Sequence, residues 1–404
     1  MILELAIENT LSIASRVVIN FGLQELFPYA INVGNRFISR IKCVYGDNGS
    51  GKTNLIQAIN FYFDFILNSF TQLQPNESTH FIPFQFNEQT RKLPGVFSII
   101  FFIDSVKYDY ELVLNKDNVL KESLFFVPNG QKTLLFSRND ENIKWGTCFL
   151  GAKRLLANTT RKNCSLISVA AQLNNQTLLP IYSFMRKYFK GIVSPEKEGL
   201  GYALSLVEEN KIFKEKIISL LREMHNSNIS DIKVESKPIP LEYLNSLPQE
   251  IRIKILKHNS MPKNRKAIFI HSYDNDYSLP LESESRGTQR LLELAAPLFE
   301  LVQTQSFLMI DELETSLHPK IQKYLISQFL ENKTESQLLI TTHNIDLMNS
   351  GLFNDSEICF AIKDPNGNTV LHSISDFTGV RKGVSRKYLY ESGKFDCLPP
   401  KVKK

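Results

Sequence analysis

No stretch of this 404-residue chain approaches the ~18 consecutive apolar residues of a membrane-spanning helix, so a helical membrane protein is not expected. Cysteine is scarce. Cys43, Cys148, Cys164, Cys359 and Cys397 are widely scattered and include no CxxC pair, which argues against a disulfide framework or a zinc site and predicts buried free thiols. Excess charge is missing too: 22% of residues are charged and the formal net charge is only +5, so nothing forces a nucleic-acid or membrane partner. There is no internal repeat, no low-complexity tract and no sustained heptad run, which excludes a long coiled-coil arm. Glu4 and Glu8 stand where a secretory signal would carry basic residues, so a cytoplasmic protein is expected.

What is present is a large apolar fraction, 43%, enough for a substantial core. Short β-type segments at Leu3–Ile7 and Arg16–Phe21 lead to the apolar run Ile41–Tyr45. From Lys52 onward, Leu55, Ala58, Ile59, Tyr62, Phe63 and Ile66 recur at helical spacing. Residues 96–137 alternate β-branched and aromatic stretches with Asp-Ser, Asn-Lys-Asp and Pro-Asn-Gly turns, predicting an antiparallel meander. Residues 165–257 show helical periodicity at Leu204, Val207, Phe213, Ile217 and Leu221, and are read as a helical insertion. The last ~130 residues alternate strand and helix (strands Ala267–His271, Ser306–Ile310 and Gln337–Thr341; helices Thr288–Gln303 and Pro319–Leu330), an order that suits a parallel αβα core. The expected fold is α/β: one domain over 1–404 with a parallel αβα core, an antiparallel β subdomain at 96–137 and the helical insertion at 165–257.

The chemistry concentrates in a few places. Gly46-Asp47-Asn48-Gly49-Ser50-Gly51-Lys52-Thr53 spells the phosphate-binding loop GxxxxGK[ST] in full, between a predicted strand and a predicted helix. A flexible Gly/Ser turn would match the spelling but not that context. Glycines let backbone N–H groups curl around a β-phosphate, Lys52 neutralises β and γ oxygens, and the Thr53 hydroxyl is a magnesium ligand. Ser306–Ile310 is an apolar strand ending in Asp311 and Glu312, the acids needed to hold Mg²⁺ and to polarise the attacking water. Downstream, Leu339-Ile340-Thr341-Thr342-His343 ends a strand in a histidine placed to contact a γ-phosphate.

With these motifs the chain resembles the ABC-type ATPase heads shared by SMC-like repair proteins and OLD-family ATPases. GDNGSGKTNL, SVAAQLN (Ser168–Asn174), ESRGTQRLLEL, IDELETSLHP, TTHNIDL and the tail KYLYESGKFDCLP are similar, more closely, to stand-alone ATPases of bacterial abortive-infection and anti-phage operons. The resemblance implies ATP and Mg²⁺ as ligands and a homodimer that sandwiches ATP. In it Ser285, Gly287 and Thr288 face the γ-phosphate held by the opposite subunit, His343 acts as the switch histidine, and Ser316–Pro319 touches the partner. It also implies a separately encoded effector, since only roughly sixty residues follow His343 and no nuclease domain is expected there. Where relatives carry Asn-Phe-basic-Ser, this chain reads Asn9-Thr10-Leu11-Ser12, and Gln85 is the candidate for the γ-phosphate-sensing glutamine.

Three functions fit this pattern. The first is an ATP-hydrolysing dimer with Lys52, Glu312 and His343 as catalytic residues, serving an anti-phage system. The second is an SMC-like DNA clamp in repair, with Arg186-Lys187, Lys263–Lys266 and Arg381–Lys387 on phosphates. The third is a transporter's ATP-binding subunit, which the 165–257 insertion does not resemble.

Overall fold

Strands of a parallel sheet are covered on both faces, and five strands of this chain lie side by side in parallel. In the computed structural model, which describes residues 1–195, 199–225, 227–240, 242, 244, 263–377 and 384–395, the order is Phe189–Val193, Phe307–Ile310, Gln337–Thr341, Ile41–Tyr45 and Ile358–Lys363. Thr369–Ser373 closes this six-stranded sheet antiparallel to its neighbour. Residues 245–257 of the expected insertion, 381–383 of one basic cluster, and Cys397 with the end of the C-terminal motif lie outside the described residues.

The meander forms as expected. Gly95–Ile103, Val106–Leu114, Val119–Val127 and Thr133–Asn139 pair antiparallel in sequence order. The N-terminal strands Ile2–Glu8 and Val17–Asn20 extend one edge and Asn142–Trp145 the other, giving seven strands. A small three-stranded sheet, Gly22–Leu23, Arg36–Ile38 and Ile31–Val33, follows the N-terminal pair.

Helix Lys52–Gln72 runs between the two large sheets. Its aromatic residues divide accordingly: Phe61 and Tyr62 pack on Phe97 and Tyr110 of the meander, whereas Phe63 stacks on Phe189 at 4.2 Å between ring centres and meets Phe307. A helix covered on both sides needs more than one apolar stripe. Leu55, Ile56, Ala58, Ile59, Tyr62, Phe63, Phe65 and Ile66 are all buried. Gln337 joins the sheets with a fully used side-chain amide. It accepts from the Ile2 N–H and the Tyr188 hydroxyl, and donates to the carbonyls of Ile2 and Ser39.

The SVAAQLN segment has a structural task here. Ser168, in helix Leu166–Gln172, accepts from the Phe70 N–H and donates to the Leu67 carbonyl, and the Ser69 hydroxyl accepts from the Ser165 N–H. These bonds fasten the last turns of the Lys52–Gln72 helix. Asn174 closes the motif at φ +51°, a left-handed position that asparagine tolerates. Behind it, the buried Glu122 carboxylate receives the Leu166 N–H and the Tyr110 hydroxyl and lies 3.6 Å from Arg138, itself 2% exposed.

The described residues divide into two compact units, Met1–Ser194 with Leu301–Glu314 and Ser327–Lys404, and Pro195–Glu300 with Thr315–Ile326. The second contains helices Leu200–Glu209 and Lys211–His225, a three-stranded antiparallel sheet (Ile229–Pro238, Lys263–Ser272, Asp276–Pro280), and most of helix Arg286–Leu301. Several expectations are corrected. The stretch read as helical also supplies two strands, Phe189–Val193 in the parallel sheet and Ile229–Pro238 in the antiparallel one. The Ala267–His271 segment belongs to that antiparallel sheet and not to the parallel core. Of the thiols, Cys43, Cys164 and Cys359 are buried, but Cys148 is exposed. Among the described residues no helix is long and apolar enough to cross a membrane.

Removing one member of a buried ion pair strands the other. Glu122→Ala should therefore lower stability by about 3–5 kcal/mol in urea denaturation, and Glu122→Gln, which retains an acceptor for Leu166 and Tyr110, by clearly less.

Candidate functional site

Parallel strands place their carboxyl ends at one edge, where loops gather. At that edge Tyr45 leads into the glycine loop, Ile310 into Asp311-Glu312, and Thr341 into Thr342-His343, on adjacent strands in register. The strand bearing the histidine lies between the loop strand and the acidic strand. This order sets His343 between the phosphate loop and the carboxylates.

The loop has the backbone of a cradle. Gly46 and Gly51 sit at φ +152° and +102°. A Cβ on Gly46 would come within 2.4 Å of the Ala361 carbonyl, and one on Gly51 within 2.0 Å of the Thr369 hydroxyl. Gly51 stands at the N-cap of helix Lys52–Gln72 and, lacking a side chain, leaves the first-turn N–H groups without a side-chain cap. Asp47, Asn48 and Gly49 form the outer turn, closed by the Ser50 N–H donating to the Asp47 carbonyl. The buried Ser50 hydroxyl has no hydrogen-bond partner, which suits a loop built to receive a polar ligand.

Lys52 is 6% exposed, and its ammonium donates to the Gly46 and Asp47 carbonyls, each at 2.9 Å. Burial lowers its pKa, while Glu314, then Asp311, Glu312 and Asp47, pull it upward. One buried cation is thus set among four carboxylates. Thr53 follows with an exposed side chain in the first helical turn.

The turn 311–314 is laced to the neighbouring strand. The buried Asp311 carboxylate accepts from the Thr341 hydroxyl, which in turn accepts from the Glu312 N–H at 2.9 Å; the Leu313 N–H donates to the Thr341 carbonyl. Glu312 adopts φ +50° and is half-buried. The His343 N–H donates to Glu314 Oε1 at 3.0 Å. The half-buried His343 imidazole has its pKa lowered, by burial first and by Lys52 second.

Three residues that support the site were given no role from the sequence, although Ser12 stood in the Asn9–Ser12 segment. Glu314 has just been described. Thr369 donates to the Ser50 carbonyl, so its hydroxyl proton is used, and Ser12, 2.8 Å away, must donate to it. Ser12 and Thr369 thereby brace the loop from behind. The rest of Asn9–Ser12 is structural: Asn9 holds the carbonyls of Thr90, Leu93 and Pro94. Gln85 is exposed and donates to the Pro83 carbonyl, and no contact brings it to Lys52.

The second unit carries the remaining candidates. Ser285 is exposed and caps helix Arg286–Leu301, accepting from the Thr288 N–H at 3.1 Å. Gly287 lies in the first turn, and the Thr288 side chain is buried with its hydroxyl 3.0 Å from that of Ser285. His318 is exposed and accepts from the Lys320 N–H through Nδ1.

Among the described residues no three His, Cys, Asp or Glu side chains converge as a self-sufficient metal site. A hydroxyl (Thr53) and a carboxylate (Asp311) beside a phosphate cradle are instead the hard, incomplete donor set that Mg²⁺ accepts when phosphate oxygens and water supply the rest. The residues fit that ion.

Two consequences are measurable. Gly51→Ala should lower stability by at least about 1–3 kcal/mol from backbone strain alone, read from urea midpoints. For His343, the folded state takes up a proton less readily than the unfolded chain, so its contribution to stability is present above the usual histidine pKa and is lost as pH falls below it. His343→Gln should therefore lose less thermal stability than the parent protein between pH 7.5 and 5.5.

Comparison with known proteins adds the family. A family model described as "AAA domain, putative AbiEii toxin, Type IV TA system" matches residues 41–349. No curated protein matches. Similar solved structures include the SMC head domain from Thermotoga maritima, at 14% identity over 92% of this chain and 98% of that one with a TM-score of 0.43. Another is the Smc head domain with an extended coiled coil bound to the C-terminal domain of ScpA derived from Pyrococcus furiosus, at 14% identity over 93% and 97% with a TM-score of 0.41. The family match spans the phosphate loop, the acidic turn and His343, and the chain therefore belongs to this AAA-domain family of P-loop nucleotide-binding proteins.

Proposed function

We propose that this protein binds and hydrolyses ATP as an ABC-type head-to-head dimer, and that it is the regulatory ATPase of a bacterial abortive-infection system controlling a separate effector. The observation that carries the ATPase reading is the gathering of a phosphate cradle, one buried lysine and the acids Asp311 and Glu312 at a single sheet edge. The family description, which names an AbiEii toxin and a type IV toxin–antitoxin system, supports the biological setting.

In this reading the loop amides and the helix N-terminus bind the β-phosphate, and Lys52 leaves the Gly46 and Asp47 carbonyls for phosphate oxygens. Thr53 and Asp311 would hold Mg²⁺, which would supply positive charge to offset that of the phosphates. Glu312 orients the attacking water and takes its proton, while a neutral His343 donates to the γ-phosphate. Exposed Ser285, with Gly287 and Thr288 at a helix start, completes the site of the opposite subunit. Catalysis is then largely electrostatic and positional.

The DNA-clamp reading loses ground to charge pairing. Arg265 is bonded to Glu208 and Glu209, and Lys263 lies 3.9 Å from Glu208. Arg386 and Lys387 pair with Asp355 and Asp346, and Arg186 donates to the Tyr182 hydroxyl. Arg186 apart, these charges are already matched by carboxylates and have less to gain from releasing counterions on DNA.

Size-exclusion chromatography of the Glu312→Gln variant should give a dimer with ATP and Mg²⁺ and a monomer without nucleotide. A monomer in both conditions rules out the shared site. Lys52→Ala should weaken ATP binding at least about tenfold, the effect of losing ~1.4 kcal/mol, and should abolish control of a co-expressed effector.

A further inference from the structure

The proposed chemistry employs Lys52, Thr53, Asp311, Glu312 and His343 and leaves Glu314 without a task. Its setting is unusual for a surface acid. Oε1 accepts the His343 N–H at 3.0 Å, while Oε2 is buried and has no hydrogen-bond partner. Buried carboxylate oxygens are normally satisfied.

We propose that Glu314 is a positioning residue of the nucleotide site, which clamps the main chain of His343 and thereby fixes where the imidazole meets the transferring phosphate. This inference rests on the ATP-hydrolysis reading of the same site. The geometry supports it in two ways. Sheet pairing along the histidine strand runs out at Thr342, whose N–H still donates to the Val44 carbonyl at 3.1 Å. One residue later the strand no longer supplies an acceptor, and Glu314 provides it, as a charge-assisted bond of the stronger kind. The acid is also delivered there by the chain rather than by chance. Asp311, Glu312 and Leu313 are each tied to Thr341, so the bond from His343 is one more rung between the same turn and the same strand.

Position and charge can be separated by substitution. Glu314→Gln retains a carbonyl oxygen at the reach of Oε1 but no charge. Glu314→Asp retains the charge but withdraws it by one methylene. Glu314→Ala removes both. If the clamp matters, steady-state ATPase assays on the full chain should show kcat about 10- to 100-fold lower for Glu314→Ala, the scale expected from misplacing a reacting group. KM should change by less than about threefold, because binding is left to the loop. Glu314→Asp should resemble Glu314→Ala, and Glu314→Gln should recover kcat to within about fivefold. Adding Glu314→Ala to His343→Ala should lower kcat no further, since the two act as one unit.

A parent-like kcat in Glu314→Ala overturns the proposal, as does a Glu314→Gln variant as impaired as Glu314→Ala. Should the parent protein fail to hydrolyse ATP, the ATPase reading fails and the clamp is still testable by amide hydrogen exchange in nucleotide-free protein. Exchange at His343 should rise in Glu314→Ala and Glu314→Asp and stay protected in Glu314→Gln. Equal protection in all of them rejects the clamp, and if Glu314→Ala is unfolded the Asp and Gln variants decide.

Discussion

A lysine ammonium taken almost wholly out of water is costly unless its charge is answered, and the arrangement around Lys52 follows from that requirement. Two loop carbonyls accept from it, and Glu314, Asp311, Glu312 and Asp47 supply negative potential. None of these acids is near it in sequence except Asp47. They are delivered by the parallel sheet, which sets the loop strand, the histidine strand and the acidic strand side by side with all their carboxyl ends on one edge. The sheet is in turn covered by the Lys52–Gln72 helix, whose first residue is the lysine itself. Fold and site therefore share an element: the helix that carries Lys52 also fills the space between the sheets.

That sharing explains why so many bonds secure the far end of the helix. A rod anchored only at the glycine loop would transmit any tilt to Lys52. Ser168, Ser165 and the Glu122–Arg138 pair hold its last turns through the segment that begins at Arg161. SVAAQLN, specific in sequence but mute about its purpose, is then a brace for the Lys52–Gln72 helix. Its serine, Ser168, ties the Phe70 N–H and the Leu67 carbonyl together, while the Phe70 carbonyl, one of those that the C-terminal turn of a helix leaves without an intrahelical partner, is met by Arg161.

Legibility from sequence tracks the range of the interactions involved. Ile41–Tyr45, the helix from Lys52, the meander and Gln337–Thr341 were readable because each is specified by its own periodicity or by an adjoining motif. Phe189–Val193 was not, because it follows a helix without a breaker and is a strand only by virtue of Phe307–Ile310, more than a hundred residues later. Ile229–Pro238 did contain an alternating Ile232-x-Val234 signal, but its charged neighbours obscured it, and its partner strand lies beyond an intervening segment. The same rule governs the site. Lys52, Asp311, Glu312 and His343 announce themselves by spacing, whereas Ser12 and Thr369 are 357 positions apart and acquire meaning only when the loop lies against both. Glu314 was visible in the acidic turn but indistinguishable from a solvated acid until its partner, a backbone N–H rather than a side chain, was known.

The glycines show how little tolerance such a site has. At Gly51 the left-handed backbone, the Thr369 hydroxyl and the Ser12 hydroxyl all oppose a side chain at once. Each alone would be a modest penalty; together they make the position a point where backbone, brace and ligand cradle meet. A larger residue there would push on Thr369, and Thr369 holds the Ser50 carbonyl. The disturbance would therefore pass into the loop peptide rather than be absorbed by the exposed surface. The glycine loop is thus better regarded as a surface packed against two strands than as a flexible turn. In the proposed hydrolysis a loop packed in this way would be an advantage, because dipoles that are already oriented need no rearrangement when charge develops on the phosphoryl group.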